Sequence, residues 1–160
     1  MPKARDKAAE LDHVLYEMEM LVFSVFALLN QNKLSDAERN LWIECFASHS
    51  RNLNEFFSSK LFPDNYMKAD HFVIWNYDYA FNGKLASRAS QHVSHLTYGR
   101  EVPGEKTGWP LDDFFRPLHQ QCTRFVGLIQ KQDALMAFQQ NRQRAANLVM
   151  LLRQFNFGTQ

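Results

Sequence analysis

The sequence contains few cysteines, glycines and prolines, the residues that cross-link small folds or interrupt their helices and strands. Among its 160 residues it contains two cysteines, six glycines and five prolines. Two cysteines exclude a disulfide-stapled scaffold, and Cys45 and Cys122 lack the paired spacing of a zinc site. Both lie among apolar helical positions, which predicts buried thiols in a reducing cytosol. We therefore expect a fold held by apolar burial alone, with no cofactor.

Neither a strong net charge nor a long apolar run is present. The formal net charge is +1, which excludes a general electrostatic attraction to nucleic acid, so an anion site has to be a local cluster. The longest apolar stretch, Leu21 to Leu29, contains Ser24 and is shorter than the roughly 20 residues that a bilayer requires. The charged first ten residues are unlike a secretory signal. These features predict a cytoplasmic protein with no membrane partner.

Apolar and aromatic residues are abundant. They include 14 phenylalanines, and 46% of the chain is apolar. A chain of this length is expected to form one domain over residues 1–160, which buries roughly two thirds of its unfolded surface.

The spacing of these apolar residues predicts an all-α fold. The predicted helices are Ala4–Asn30, Ser35 to about Leu61, Lys84–Tyr98, Leu111–Gln130 and Asp133–Phe155. Residues 62–83 fit a short helix or an extended segment equally well. Short connectors between long amphipathic helices favour an antiparallel bundle of four to five helices.

The second helix has a clear start and a clear apolar stripe. Ser35 and Glu38 have the spacing of a capping box, in which each side chain bonds the other residue's backbone N–H. The predicted stripe consists of Leu41, Trp42, Cys45, Phe46, Leu53, Phe56 and Phe57.

Two stretches, His49–Leu53 and His95–Arg100, each place a histidine near an arginine. Histidine transfers protons near neutral pH, and the arginine fork fits phosphate. Arg88, His92 and His95 also follow one helical face. A local interpretation stays open, in which each histidine finds its own partner and Arg51 pairs with Glu55 one turn away.

These two stretches, His-x-Arg-Asn-Leu and His-Leu-Thr-Tyr-Gly-Arg, resemble a group of small bacterial helical proteins similar to the HEPN superfamily. The resemblance implies a four- to five-helix bundle, a symmetric homodimer with its site across the dimer axis, and metal-independent cleavage of RNA. It also implies a toxin–antitoxin or phage-defence setting, with an antitoxin as a further protein partner. Other members of the superfamily are inactive scaffolds.

The active motif of that superfamily has an arginine, a polar residue just after it, and a histidine that follows after four to six intervening residues. Arg51 is followed by the polar Asn52, but phenylalanines and a serine stand where the histidine is expected. Arg88 and His95 have the required spacing, with six residues between them, but Ala89 follows Arg88. The resemblance therefore implies a composite site from two helices. Its catalytic candidates are His49, Arg51, His95 and Arg100, with Asn52, Arg88, His92 and Tyr98 in supporting roles.

In this site a histidine takes the proton of a ribose 2′-hydroxyl, and an arginine stabilises the charge that develops at phosphorus. A protonated histidine would give a proton to the leaving 5′-oxygen. The product would end in a 2′,3′-cyclic phosphate.

Two other classes of function remain open. One is a metal site built from His49, His92 and His95, although a di-iron bundle needs two Glu-x-x-His motifs and the chain has one, at Glu10–His13. The other is a non-catalytic helical interaction module, which the phenylalanine content and the amide-rich Gln139–Arg144 segment fit equally well.

Overall fold

A computed structural model describes residues 6–58, 67–76, 111–131 and 136–155 of the chain. This part is all-helical and contains no strand, which confirms the predicted fold class. Its four α-helices are α1 (Lys7–Leu29), α2 (Asp36–Ser58), α3 (Leu111–Gln130) and α4 (Met136–Arg153). Two short 3-10 segments occupy Gln31–Lys33 and Ala69–His71. The predicted helix Lys84–Tyr98 lies outside the described residues.

Side chains close the first turns of α1 and α2. The Asp6 carboxylate accepts from the backbone N–H groups of Ala8 and Ala9, at 3.0 and 3.3 Å. At α2 the Ser35 hydroxyl accepts from the Glu38 N–H at 3.3 Å, and the Glu38 carboxylate accepts from the Ser35 N–H at 2.8 Å. The predicted capping box is confirmed, and it satisfies donors that the helix itself leaves unpaired.

Helices that follow each other through short connections run antiparallel, whereas two other pairs run parallel. The α1–α2 and α3–α4 connections are each a few residues long, which brings each pair into an antiparallel hairpin. Near the start of α1 and α4, Asn141 donates to the Ala8 carbonyl at 2.9 Å, and near their ends the rings of Phe26 and Phe155 lie 4.6 Å apart. The helices α1 and α4 therefore run in the same direction.

Helices α2 and α3 also share a direction. Phe46 and Phe114 meet at 6.1 Å near the beginning of the pair, and Phe57 and Phe125 meet at 6.0 Å near its end. The bundle thus consists of two antiparallel hairpins, α1–α2 and α3–α4, which lie side by side. This arrangement places α1 against α2 along most of its length.

The core is built around phenylalanine. Phe125 is fully buried, and its ring lies within 5.2 to 6.2 Å of the rings of Phe56, Phe57, Phe72 and Trp75. The Trp75 indole N–H donates to the Phe57 carbonyl at 3.0 Å, so the one polar atom of that ring is satisfied. Trp75 belongs to the segment 67–76, and this contact fixes the segment against the ends of α2 and α3.

The predicted stripe of α2 needs two corrections. Leu41 is 63% exposed, because the stripe that faces α1 and α3 begins at Ile43 and Phe46. Cys45 is only partly buried, whereas Cys122 on α3 is buried as predicted. None of the described helices combines the length and the apolar composition that crossing a membrane requires.

Candidate functional site between α1 and α2

Glu17 lies at the edge of the apolar face of α1. Its neighbours on that face, Val14 and Leu21, are 3% and 0% exposed, and they bring the glutamate against α2. His49 has the same position on α2, between the buried Phe46 and Leu53. The apolar packing of the two helices therefore forces a carboxylate and an imidazole to face each other.

The Glu17 carboxylate accepts two hydrogen bonds from α2. His49 Nδ1 lies 2.7 Å from Glu17 Oε2, and the Asn52 side-chain amide donates to the same oxygen at 3.1 Å. The side chains of Glu17 and His49 are 13% and 14% exposed. Because so little water screens them, the attraction between the two charges is greater than between charges on the open surface.

This contact changes the pKa of both groups. Burial lowers the pKa of His49, but hydrogen bonds to Cys45 and Glu17 and the charge of Glu17 outweigh it and raise that pKa to about 9. Burial raises the pKa of Glu17, and the hydrogen bonds from His49 and Asn52 reverse that effect and bring it below its ordinary value of 4.5. At neutral pH the pair is therefore an imidazolium and a carboxylate.

A second imidazole lies on the other side of Glu17. His13 precedes Glu17 by one turn of α1, and its Nε2 is 3.6 Å from Glu17 Oε1. The His13 side chain is 57% exposed, in contrast to His49. The ring of Tyr16 lies between the two histidines, stacked on His13 at 6.3 Å and edge-on to His49 at 6.1 Å. The Glu17 carboxylate and the Tyr16 ring thus each contact both imidazoles. His49 is nearly buried and His13 is exposed.

Arg51 bonds to a different carboxylate. Its Nε donates to Glu55 Oε1 at 2.9 Å, one turn along α2, which is the local pairing that the sequence left open. Both side chains are about one third exposed, at 39% and 31%. His49 and Arg51 are close in sequence, but the carboxylates that hold them belong to different helices.

The described residues include only part of the predicted site. His49 and Asn52 meet at Glu17, and Arg51 lies next to them on α2 with Glu55. The other predicted members fall outside the described residues; they are Arg88, His92, His95, Tyr98 and Arg100.

A pocket of about 240 Å³ opens beside this cluster, between α1, α2 and Met67 of the segment 67–76. Its apolar part is formed by Val14, Leu53, Phe56 and Met67, and its polar part by His13, Glu17, Asn52 and Glu55. Glu17 and Glu55 are the carboxylates that bond His49 and Arg51, and Asn52 donates to Glu17. A ligand in the pocket would therefore touch the hydrogen-bond network directly.

Arg144 of α4 forms ion pairs with α1 next to the cluster. Arg144 bonds the carboxylates of Asp12 and Glu19, and its guanidinium lies 5.8 Å from the centre of the Tyr16 ring. These contacts join α4 to the helix turn that carries His13 and Glu17. We interpret Arg144 as a residue that fixes the position of this turn.

Within the ranges that the structure describes, no group of three histidine, cysteine, aspartate or glutamate side chains could hold a metal ion. The proposed three-histidine metal site needs His92 and His95, so it stays a prediction. Cys122 is fully buried, and burial raises the pKa of its thiol, as expected for a structural cysteine.

Two residues of the cluster, Glu17 and His13, were not among the predicted site residues. The spacing of His13 and Glu17 places them on one helical face, but the contact of Glu17 with His49 spans 32 positions of sequence between two helices. Only the packing of α1 on α2 reveals it.

Comparison of the chain with protein-family models, with curated proteins and with solved structures gives no match.

Proposed function

We propose that the chain is a metal-independent endoribonuclease of the HEPN type. The observation that supports this most is the presence of two imidazoles in different environments on one carboxylate, beside a pocket. His49 is 14% exposed and bonded to Glu17 at 2.7 Å, whereas His13 is 57% exposed and 3.6 Å from the same carboxylate. Different environments around paired titratable groups divide the roles of acid and base between them.

His49 is the proton donor in this proposal. Its pKa of about 9 keeps the ring protonated at neutral pH, so it has a proton to give and no free site to accept one. This assignment narrows the role predicted from the sequence, where a histidine at this site could serve as base or acid.

His13 is the proton acceptor. It takes the proton of a ribose 2′-hydroxyl, the 2′-oxygen attacks the adjacent phosphorus, and the bond from phosphorus to the 5′-oxygen breaks. His49 gives its proton to the departing 5′-oxygen. The products are a 2′,3′-cyclic phosphate and a 5′-hydroxyl, and each positioned proton transfer contributes about 10²–10⁴-fold in rate.

Arg51 stabilises the negative charge that accumulates on the phosphate oxygens. In this proposal His95 and Arg100 belong to the same site, and a symmetric homodimer brings the two copies of it together. The chain would act on RNA without a cofactor.

The test is an RNA cleavage assay in the presence of a chelator. Wild type is compared with His49→Ala, His13→Ala and Arg51→Ala, and with His119→Gln as a matched histidine control. His119 bonds the Leu152 carbonyl at 2.8 Å, on α3 and away from the cluster. The three site variants should lose at least about a hundredfold in rate, and the control should keep wild-type activity. Equal rates in all five proteins would refute the assignment.

A non-catalytic helical module is the second candidate. It is favoured by the observation that His49 and Arg51 each bond a carboxylate of the same chain, so both charges are already balanced without a ligand. Large apolar side chains on the surface, such as Leu41 and Ile74 at 63% and 93% exposure, fit a protein partner. Background-level cleavage by folded wild type, with Leu41→Ser or Ile74→Ser losing a stable protein partner, would support this candidate.

A further inference from the structure

We propose that the pocket between α1 and α2 binds a guanine base. This inference deepens the proposed function and rests on it in one respect, namely that RNA is the source of the base. The binding itself is independent of cleavage and is measured with a nucleoside that has no phosphate.

The size and the floor of the pocket suit one flat ring system. A volume of about 240 Å³ has room for one nucleobase. The floor contains Phe56 and Leu53, 6% and 1% exposed, together with Val14 and Met67. Flat bases bind proteins by contact of their faces with aromatic and apolar side chains of this kind.

The rim of the pocket offers hydrogen-bond acceptors. The Asn52 amide nitrogen donates to Glu17, which leaves its carbonyl oxygen as the acceptor that it presents to a ligand. One oxygen of Glu55 accepts from Arg51, and the other extends the acceptor row along α2. Asn52 and Glu55 are three positions apart on one helix, so their acceptors are neighbours. A ligand that matches them carries two adjacent N–H donors.

The charge balance of the rim favours a neutral ligand over a cation. Glu17 is compensated by the His49 imidazolium, and Glu55 by the Arg51 guanidinium. A lysine or arginine side chain in the pocket would add a third positive charge to a network that is already neutral. A neutral heterocycle with N–H donors satisfies the same acceptors without that cost.

Among the RNA bases, guanine fits this pattern. Its Watson–Crick edge presents a ring N–H and an exocyclic amino group side by side. Adenine and cytosine each present one amino group beside a ring acceptor, which would face the oxygens of Asn52 and Glu55. Uracil presents one N–H between two carbonyl oxygens. A carboxylate binds N–H donors strongly, because hydrogen bonds to a charged acceptor are stronger than hydrogen bonds between neutral groups.

The experiment is a titration of the isotope-labelled full chain with guanosine, inosine and adenosine, followed by NMR. Inosine is guanosine without the exocyclic amino group, so it removes one of the two donors and changes nothing else on that edge. Guanosine should shift the signals of Asn52, Leu53 and Phe56, and inosine and adenosine should bind roughly tenfold or more weakly.

Two glutamate-to-glutamine variants test whether guanosine binds in this pocket. Glu55→Gln replaces the charged acceptor in the pocket, and Glu44→Gln makes the same change at an exposed position of α2 outside it. Guanosine binding should weaken roughly tenfold or more in Glu55→Gln and stay at the wild-type value in Glu44→Gln. Circular dichroism of both variants shows that the helices are intact.

Several outcomes overturn the inference: no guanosine binding at millimolar concentration, equal affinity for inosine, or displacement of guanosine by free arginine, which would mark a cation pocket. Guanosine binding without RNA cleavage would support the pocket and remove the nuclease proposal. RNA cleavage without any guanosine binding would do the reverse.

Discussion

The carboxylate of Glu17 on α1 and the imidazole of His49 on α2 are 2.7 Å apart at a contact that is 13–14% exposed. The two residues are separated by 32 positions, and the pairing of their helices brings them together. This ion pair is both a structural link within the α1–α2 hairpin and the centre of the candidate site. It therefore makes predictions for stability as well as for function.

The stability of the protein should depend on pH through His49. The folded-state pKa of about 9 is above the ordinary value of 6.5, so the stabilisation is complete below pH 6.5 and is lost as pH rises toward 9. We expect a loss of about 1–3 kcal/mol in the free energy of unfolding across this interval. Urea unfolding of wild type and His49→Gln on both sides of the interval measures it, and a wild-type slope equal to that of the variant would contradict the prediction.

Glu17 should give the opposite pH dependence in acid. Its folded-state pKa lies below 4.5, so its contribution is present above that pH and is lost as the pH falls further. Taken together, the pair stabilises the fold most between about pH 4.5 and 6.5.

Replacing Glu17 with glutamine should lower the pKa of His49. The amide keeps the size of the side chain but removes the negative charge, so the imidazolium loses its counter-ion. An NMR titration of the His49 ring should show a midpoint well below that of wild type. Asp36→Asn is the control, because Asp36 pairs with Arg39 on the surface and has no contact with the site. A His49 midpoint that is unchanged in Glu17→Gln would show that Glu17 does not set this pKa.

Phe125→Ala should destabilise the fold by about 3–5 kcal/mol, because it opens a cavity among the four aromatic rings that pack around Phe125. Ile74→Ala, at a side chain that is 93% exposed, should change the free energy of unfolding by less than about 0.5 kcal/mol. Denaturant unfolding with tryptophan fluorescence follows both variants. An equal loss in the free energy of unfolding in Phe125→Ala and Ile74→Ala would show that Phe125 is not part of the core.

Ser35→Ala should cost about 1 kcal/mol of stability. The variant removes the hydroxyl that accepts from the Glu38 N–H at 3.3 Å and so removes half of the capping box. Thermal unfolding monitored by helical circular dichroism measures the loss. A replacement by aspartate, which also caps well, should restore most of the stability; failure to restore it would mean that the cap is not the reason.

The sequence predicts the helices better than it predicts the site. Regular apolar spacing gives α1 and α3 to within a few residues, and the capping box gives the start of α2, because these signals are local. Apolar spacing predicts Leu41 in the stripe of α2, but spacing alone does not show where a partner helix begins to cover that face. Glu17 was not predicted as a site residue because a glutamate on a helix is usually a solvated residue, and only its contact with α2 distinguishes it. The predicted site residues between Arg88 and Arg100 lie outside the described residues.

The most direct test of the account is the chemistry of the RNA ends. Wild-type protein is incubated in chelator with an RNA and with the same RNA carrying 2′-O-methyl riboses, and the products are analysed by mass spectrometry. We predict that the unmodified RNA gives 2′,3′-cyclic phosphates and 5′-hydroxyls, that the methylated RNA stays intact, and that His49→Ala cleaves the unmodified RNA at least about a hundredfold more slowly than wild type. Cleavage of the methylated RNA, 5′-phosphate products, or an intact unmodified RNA would contradict it.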